Sequence, residues 1–396
     1  MENIKIDFQK HIDAGRCNGA EWIINYENKV YHDVIGYKDL DLKDKLNKNS
    51  YYRVWSMTKP IVGFAAMQLA EKKFLSLDDT IDRYLPEFKN IKKLNSLTSK
   101  LSDTSPVDNL PTIRQLLQHT AGFTYNSSDN NLAQEYEDKG LFHSPTSSLE
   151  EEVNKILELP LLYEPGSNWH YSISIDILAR IIEIVTKDKI TNILKENIFD
   201  PLEMNQTNFF INERNQKNLV ETFEYSFDKS KLTNLNFDKR KLILYGYPTT
   251  NQNYSRGGHG LFSTAEDYAK FSTMLLNGKN KNSKPLVNTE TLEMMRNNSL
   301  SADLFPLEIT SINTKKDIDY ENDLIGYGWG MGMRVLMQNT NQNKYGTIGE
   351  FGWSGYASTY FMVDQKNSIT AVLMTQVFQG DPNLHKEFYD FIYSNM

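Results

Sequence analysis

The segment that decides the fold is residues 52–60, which read YRVWSMTKP and run into a largely apolar stretch, IVGFAAMQLA, at 61–70. Apolar residues at helical spacing predict a helix over residues 60–72. Pro60 supports a helix start here, because a proline in the first turn loses an amide that would have no intrahelical partner. Ser56 then stands at the helix start, and Lys59, three residues later, lies on the same face.

A serine hydroxyl is a poor nucleophile until a neighbouring base accepts its proton, and one helical turn holds an amine within hydrogen-bond reach of it. The N-terminus of a helix also directs its free amides toward developing negative charge. Ser56 is therefore the candidate nucleophile and Lys59 the candidate part of its base. The same Ser-x-x-Lys spacing is also frequent on solvated helix faces, so the motif needs support from the rest of the chain.

A second candidate segment is residues 164–172, EPGSNWHYS, which form a predicted turn before an apolar helix. A tyrosine on such a loop can project its phenol into a cleft. Tyr171 would act as an acid or base only if its pKa were lowered, and the ammonium of Lys59 has the right sign to lower it. The alternative is that Tyr171 only packs its ring and hydrogen bonds its hydroxyl, as most tyrosines do.

The third candidate segment is residues 349–356, GEFGWSGY, which lead into a predicted strand. Glycines beside a strand let a substrate lie against the backbone, and the amide of Tyr356 can donate to an oxyanion. A bulge or a tight turn with an incidental tryptophan is the commoner meaning of such a stretch.

Taken in order, the three segments resemble the class C β-lactamase and penicillin-binding-protein superfamily of active-site serine enzymes, over nearly the whole chain. Further matches are TIRQLLQHTAGFTY at 112–125, GGHGLFSTAEDYAKF at 257–271 and GWSGYASTYFMVD at 352–364. The resemblance implies that Ser56 is the nucleophile, Lys59 its base partner and Tyr171 the general acid/base. It also implies an oxyanion hole formed by the backbone amides of Ser56 and Tyr356.

Two departures from the family pattern bear on the substrate. Lactam-directed members carry an asparagine two residues after the tyrosine, where this chain has Ile173. They also carry Lys-Thr-Gly, or a histidine in place of that lysine, where this chain has WSG at 353–355. A third motif like Trp-Gly-Gly is similar to that of the superfamily's carboxylesterases, which favours ester substrates. We expect Trp353 to form an apolar wall of the substrate site, with Ser354, Gly355 and Tyr356 as further substrate contacts.

The coarse pattern predicts an α+β fold, with strands near both chain ends and helices between them. Predicted strands are 21–26, 30–36, 345–348, 359–363 and 369–374, and predicted helices are 4–14, 60–72, 112–119, 149–157, 174–185, 265–276 and 383–393. The resemblance implies a β-lactamase-like antiparallel sheet flanked by terminal helices, plus a mostly helical inserted lobe. We expect residues 1–74 and 322–396 to form an α/β lobe and residues 75–321 the helical lobe, with the active site in the cleft between them.

Composition narrows the remaining possibilities. The 396 residues carry a formal charge of −8 and contain no basic run, which argues against nucleic acid or anionic membrane as a partner. Cys17 is the sole cysteine, so an intramolecular disulfide is impossible, and the seven histidines lack zinc-site spacing. No metal or cofactor is expected, and His119 and His259 are expected to serve as structural hydrogen-bonding groups. The first residues lack a secretory pattern and no membrane-span-length apolar run occurs, which predicts a soluble, cytoplasmic protein.

The sequence therefore predicts a serine hydrolase that acts through an acyl-enzyme on Ser56, with a small-molecule ester or amide as substrate and small esters favoured. Three alternatives stay open: a β-lactamase or D-amino-acid peptidase, a transacylase, and a noncatalytic binding protein that retains the fold. The initial base, Lys59 or Tyr171, and the oligomeric state are left open as well.

Overall fold

A large antiparallel sheet built from both ends of the chain dominates the computed structural model. The described residues are 8–41, 43–141, 144–226, 231–234, 247–309, 324–341, 343–378 and 383–395. The sheet has the strand order β2-β1-β13-β12-β11-β10-β9, and each neighbouring pair is antiparallel. The strands are β1 (Gly19–Tyr26), β2 (Lys29–Gly36), β3 (Tyr52–Arg53), β4 (Lys92–Leu94), β5 (Thr104–Pro106), β6 (Phe223–Ser226), β7 (Lys231–Asn234), β8 (Phe262–Ser263), β9 (Tyr327–Trp329), β10 (Arg334–Leu336), β11 (Phe351–Ser354), β12 (Tyr360–Asp364), β13 (Ile369–Met374) and β14 (Val377–Phe378).

Helices fill the middle of the chain and also flank the sheet. They are α1 (Gln9–Asp13), α2 (Thr58–Glu71), α3 (Ile113–Gln118), α4 (Asn131–Asp138), α5 (Leu149–Ile156), α6 (Ser174–Thr186), α7 (Ile190–Leu194), α8 (Asp200–Leu202), α9 (Ala265–Asn277), α10 (Thr289–Arg296) and α11 (Asn383–Ser394). A π-helical turn at Lys195–Phe199 joins α7 to α8, and 3-10 turns lie at Trp55–Met57, Ile81–Arg83, Pro86–Asn90, Glu213–Asn218 and Ala302–Leu304. Within the described residues, none of the helices combines the length and apolarity needed to cross a bilayer.

The two faces of the sheet bury alternate residues of each strand, as the two-residue side-chain period requires. On β1, Trp22 and Ile24 pack in one cluster with Phe388 of α11, whereas Ile23 belongs to the larger core on the opposite face. That larger core includes Tyr268 of α9 and most of α2. The sheet is thus a middle layer with helices on both sides, which is the predicted α+β, β-lactamase-like fold.

Helix α2 is buried around its whole circumference from Thr58 to Leu69, as expected for a helix that runs through a core rather than along a surface. Its first turn contains Pro60 as predicted, and the 3-10 turn immediately before it contains Ser56. This continuity fixes the backbone around the candidate nucleophile.

Most predicted elements are confirmed to within a few residues, but the strand predicted at 345–348 is wrong. That stretch forms turns, and the strand begins six residues later, at Phe351. Tyr345 and Ile348 are each 53% exposed, so their apolar side chains do not mark a buried strand face. Gly349 has φ +91°, a left-handed conformation that ends the turn before β11.

Two other expectations have a different outcome. The helix predicted at 4–14 appears as the shorter α1, and residues 4–7 lie outside the described residues. The two-lobe division at residues 74/75 and 321/322 stays a prediction, as does the cleft between the lobes. Helix α9, within 75–321, packs against β1, β12 and β13, so part of the predicted helical lobe supports the sheet.

Candidate active site

The side chains of Ser56 and Lys59 meet at the start of α2. The Nζ of Lys59 donates to Ser56 Oγ at 3.0 Å and to the backbone carbonyl of Gly258 at 2.7 Å. Lys59 is fully buried, whereas Ser56 is partly exposed. A hydroxyl that a substrate can reach is therefore held against an amine that bulk water does not surround.

The turn that presents Ser56 is strained at the preceding residue. Trp55 has φ +47°, in the left-handed region that non-glycine residues rarely adopt. Its buried ring is held by an edge-to-face contact with Tyr247 and by Phe378, with centroids 5.0 and 5.1 Å away. Such over-determined packing is what keeps a strained conformation in place, and strain of this kind concentrates at functional sites.

Burial changes the ionisation of Lys59. Desolvation lowers the pKa of its amine to about 7, against the smaller opposing effect of the Asp176 carboxylate. The ring faces of Tyr171 and Tyr125 lie 4.6 and 5.2 Å from Nζ and provide cation–π stabilisation of the charged form. Because burial has the larger effect, a substantial fraction of Lys59 is the free amine near neutral pH, and this is the form that accepts a proton.

Tyr171, just before α6, lies close to both Ser56 and Lys59. A hydrogen bond with the Ser56 side chain and another from Trp353 both favour the phenolate, but burial outweighs them and raises the pKa of Tyr171. The expectation that Lys59 would lower this pKa is wrong. The lysine is itself desolvated and partly neutral, so it supplies less positive charge than an exposed ammonium would.

Trp353 joins the third segment to the second. Its indole Nε1 donates to the phenolic oxygen of Tyr171 at 3.0 Å, and its ring packs edge-to-face on Trp329 with centroids 4.6 Å apart. The side chain is only 3% exposed. Trp353 therefore lies mainly against Tyr171 and Trp329, and little of its ring is free to serve as the apolar substrate wall that the sequence suggested.

The end of β11 is pressed against the turn before α2. A Cβ atom on Gly355 would lie 2.5 Å from the Val54 carbonyl oxygen and in collision with the Thr359 hydroxyl, so only glycine fits there. This close approach brings the backbone at 355–356 beside the Ser56 turn. The ring of Tyr356 is 46% exposed and packs on Phe378 with centroids 4.8 Å apart, and Ser354 is partly exposed.

His119 and His259 are fully inside the protein, and burial lowers both pKa values well below the ordinary range. The Nδ1 of His119 accepts from the backbone N–H of Ser172 at 3.3 Å, which ties the residue after Tyr171 to the end of α3. The Nε2 of His259 is 3.0 Å from the Tyr254 hydroxyl. Both imidazoles thus make the hydrogen bonds expected of structural groups.

Four residues of this site are not among the candidates that the sequence predicts: Asp176, Gly258, Tyr125 and Trp329. Asp176, Gly258 and Tyr125 surround Lys59, and Trp329 packs on Trp353. The segments 112–125 and 257–271 carry part of the family resemblance, and they contain Tyr125 and Gly258. Asp176 and Trp329 carried no local signal, because an acid in a first helical turn and a tryptophan in a short strand are both ordinary.

Comparison with known proteins finds relatives that match nearly the whole chain. The Beta-lactamase family model matches residues 7–391. A protein of Mycobacterium tuberculosis is 26% identical over 370 residues, covering 92% of this chain and 87% of that protein. The lovastatin esterase of Penicillium rubens is 25% identical over 387 residues, covering 92% and 90%.

Among solved structures, EstCE1, described as a hydrolase with promiscuous acyltransferase activity, superposes with a TM-score of 0.79. The match covers 97% of this chain and 96% of that one at 24% identity, a level at which the likeness supports the shared fold. The family match over nearly the whole sequence, together with the antiparallel sheet and its central helix, shows that this chain belongs to the beta-lactamase family.

Proposed function

We propose that this protein is a carboxylesterase that acts through an acyl-enzyme on Ser56. The observation that carries the proposal is the 3.0 Å hydrogen bond between the Ser56 hydroxyl and the buried amine of Lys59. Because the pKa of this amine is about 7, a substantial fraction of it is unprotonated at neutral pH and able to accept the hydroxyl proton as Ser56 attacks.

In the proposed reaction, Ser56 Oγ attacks the ester carbonyl while its proton moves to Lys59. The backbone amides of Ser56 and Tyr356 are proposed to hold the oxyanion of the tetrahedral intermediate. The carbon–oxygen bond to the alcohol then breaks, and Tyr171 gives its proton to the departing oxygen and regains one from Lys59. Water repeats the sequence on the acyl-enzyme, which releases the acid and restores the Ser56 hydroxyl.

Lys59 is favoured as the initial base over Tyr171, because the two groups have opposite pKa shifts. Burial lowers the pKa of Lys59 and raises that of Tyr171, so at neutral pH the amine is available and the phenol keeps its proton. Tyr171 is then suited to donating that proton to the alcohol. The Trp353 indole stabilises the phenolate formed when it does so.

Two features favour esters over β-lactams. Ile173, two residues after Tyr171, is buried in the core and offers no side-chain amide to a lactam. Trp353 occupies the position of the lysine or histidine that would bind a lactam carboxylate, and its one donor is already directed at Tyr171. The esterase name of the P. rubens relative points to the same substrate class.

Parallel assays with nitrophenyl esters and a chromogenic cephalosporin test this choice of substrate, with Ser56→Ala as the control that lacks the nucleophile. We expect turnover of the esters, an acyl adduct on Ser56 by intact-mass spectrometry, and neither with Ser56→Ala. Faster turnover of the cephalosporin would favour a β-lactamase or a D-amino-acid peptidase instead. A fluorophosphonate that fails to label Ser56 would favour a noncatalytic binding protein.

Transacylation is the second candidate, supported by the acyltransferase activity named for the structural relative EstCE1. In that reaction an alcohol or amine replaces water as the acceptor of the acyl group. Adding small alcohols during ester turnover and measuring the new ester against the free acid distinguishes the two. Acceptor-dependent partition toward the new ester would favour a transacylase.

A further inference from the structure

The carboxylate that acts on the charge of Lys59 belongs to Asp176, and Gly258 lies between the two side chains. The carbonyl of Gly258 accepts from Lys59 Nζ at 2.7 Å, and the N–H of the same residue donates to Asp176 Oδ1 at 3.0 Å. Gly258 thus links the buried amine to a buried carboxylate. Both ends of this link are fully inaccessible to solvent.

Asp176 is an unusual residue for its position. It is the third residue of α6, and within the described part of the chain its Oδ2 has no hydrogen-bond partner. Burying a carboxylate with an unsatisfied oxygen is costly unless a positive charge nearby compensates it. Burial raises the pKa of Asp176, and the buried cations Lys59 and Arg256 oppose that rise together with the backbone hydrogen bonds of Gly258 and Gly257, all of which favour the charged carboxylate.

The space around Gly258 shows that this arrangement is closely packed. A Cβ on this residue would lie 2.5 Å from Asp176 Oδ2 and 2.8 Å from the Tyr125 hydroxyl. The glycine therefore lets the carboxylate approach the backbone that binds Lys59. Any larger residue would separate the two charges.

We propose that Asp176 is a positioning residue for the acyl transfer, an inference that rests on the proposed function. Its carboxylate holds Gly258 so that the carbonyl orients Lys59 toward Ser56, and its negative charge compensates the ammonium that forms when Lys59 accepts the serine proton. The step balances without a further reactant, because the proton leaves Ser56 Oγ, resides on Lys59 Nζ and later returns through Tyr171 to the alcohol.

The other ionisable groups around the pair leave this role to Asp176. The imidazoles of His119 and His259 are held neutral by burial, and burial raises the pKa of the tyrosines. Arg256 lies 4.0 Å from Glu152, which offsets its charge. The ionisable groups that act on the pair or on its neighbours are His119, Tyr125, Glu152, Tyr171, Tyr254, Arg256 and His259.

Asp176→Asn tests the proposal, because it removes the negative charge of the side chain but keeps an amide oxygen that accepts from the Gly258 N–H. Because the carboxylate raises the pKa of Lys59, its loss should shift the acid limb of Ser56 labelling by a fluorophosphonate about one pH unit lower. Ester turnover at the pH plateau should fall about tenfold or more, because the ammonium formed in the reaction is no longer compensated. The matched control is Asp267→Asn, another buried acid in a first helical turn, which should leave the limb in place.

A titration that needs no catalysis separates this inference from the proposed function. Lysine labelled with 13C at Cε and assigned with Lys59→Arg reports the ionisation of Lys59 by NMR. A folded Asp176→Asn protein in which this titration does not move overturns the inference. If the titration moves but Ser56 is inert toward esters and fluorophosphonates in the unmodified protein, the proposed function fails and the role of Asp176 in setting the charge of Lys59 stands.

Discussion

Lys59 is the residue whose ionisation should set the pH dependence of the reaction. Its pKa is lowered to about 7 by burial, and only the neutral amine accepts a proton. We therefore expect kcat/KM for a nitrophenyl ester to be constant above about pH 8, to be about half of that value near pH 7, and to fall tenfold per unit below about pH 6. If the phenolate of Tyr171 were the initial base, the rate would instead climb in the alkaline range, because burial raises that pKa.

Substitution of Lys59 checks independently that this residue acts as the base. Lys59→Arg keeps a positive charge but cannot be deprotonated, so kcat should fall about 100-fold or more. Lys72→Arg is the matched control, because this exposed lysine at the C-terminal end of α2 lies outside the site. Equal activity in the two variants would contradict the role of Lys59 as a base.

Trp353→Phe isolates the hydrogen bond between the indole and Tyr171. The phenylalanine ring keeps most of the packing on Trp329 but leaves the phenolic oxygen without this donor. Stabilisation of the phenolate then weakens, and kcat should fall about tenfold with KM nearly unchanged. Steady-state kinetics check this. A change confined to KM would instead indicate that the indole contacts substrate.

The spacing of Ser56 and Lys59 could be predicted because one helical turn decides it. The hydrogen bond from Trp353 to Tyr171 could not, since it joins residues 182 positions apart and depends on how β11 passes α6. The same holds for Asp176, whose importance becomes visible only when Gly258 is brought beside it. Local sequence reports on neighbours along a helix but carries little information about the register between distant segments.

At the scale of elements, the contact between the end of β11 and the turn before α2 is the critical one. Gly355→Ala should force the two backbones apart, because the added methyl meets the Val54 carbonyl oxygen and the Thr359 hydroxyl. The amide of Tyr356 would leave the proposed oxyanion site, and kcat should drop about 100-fold. Kinetics on protein shown to be folded by circular dichroism measure this loss.

Gly346→Ala is the matched control for that experiment. This glycine is as crowded as Gly355, but its neighbours are the side chains of Leu336 and Tyr389, which lie outside the site. It should lower the melting temperature while the folded protein keeps its kcat. A similar loss of kcat in both variants would argue that the effect is general rather than specific to the oxyanion donor.

Long elements with a clear period were predictable, and short ones were not. The periodicity of α9 and the apolar run of β13 gave bounds within one residue of those observed. Strands of two or three residues such as β3 and β9 contain too few residues to show an alternation. The error at 345–348 has a different cause: Tyr345 and Ile348 are residue types that favour strands, but both side chains are exposed and the described stretch forms turns.

For the whole molecule, stability depends strongly on α11, the helix that covers the outer face of the sheet, which is the face opposite α2 and α9. Phe388 of α11 is fully buried in the cluster with Phe8, Trp22 and Tyr360. Phe388→Ala should reduce the free energy of unfolding by about 3–5 kcal/mol through lost burial and a cavity. Urea unfolding monitored by circular dichroism checks this. Phe74→Ala is the control: because Phe74 is 56% exposed, its substitution should change the free energy of unfolding little.

The candidate active site lies on the opposite side of the sheet from this cluster, so the pH profile of the folded Phe388→Ala protein should match that of the unmodified one. A shifted profile would indicate that packing on the outer face is transmitted to Lys59. Such a result would contradict the view that the ionisation of Lys59 is set by its own surroundings.

The strand order also constrains the order of events during biosynthesis. Ile24 of β1 is paired with Ala371 of β13, so β1, which is synthesised early, cannot form this pairing until β13 has been synthesised near the end of the chain. At about 5–20 residues per second, this delay is roughly 20 to 70 s. Throughout that interval the nascent hairpin of β1 and β2 presents an open edge on which foreign strands can dock. Arrival of the last quarter of the polypeptide is therefore the step that both covers this open edge of β1 and brings Trp353 to Tyr171.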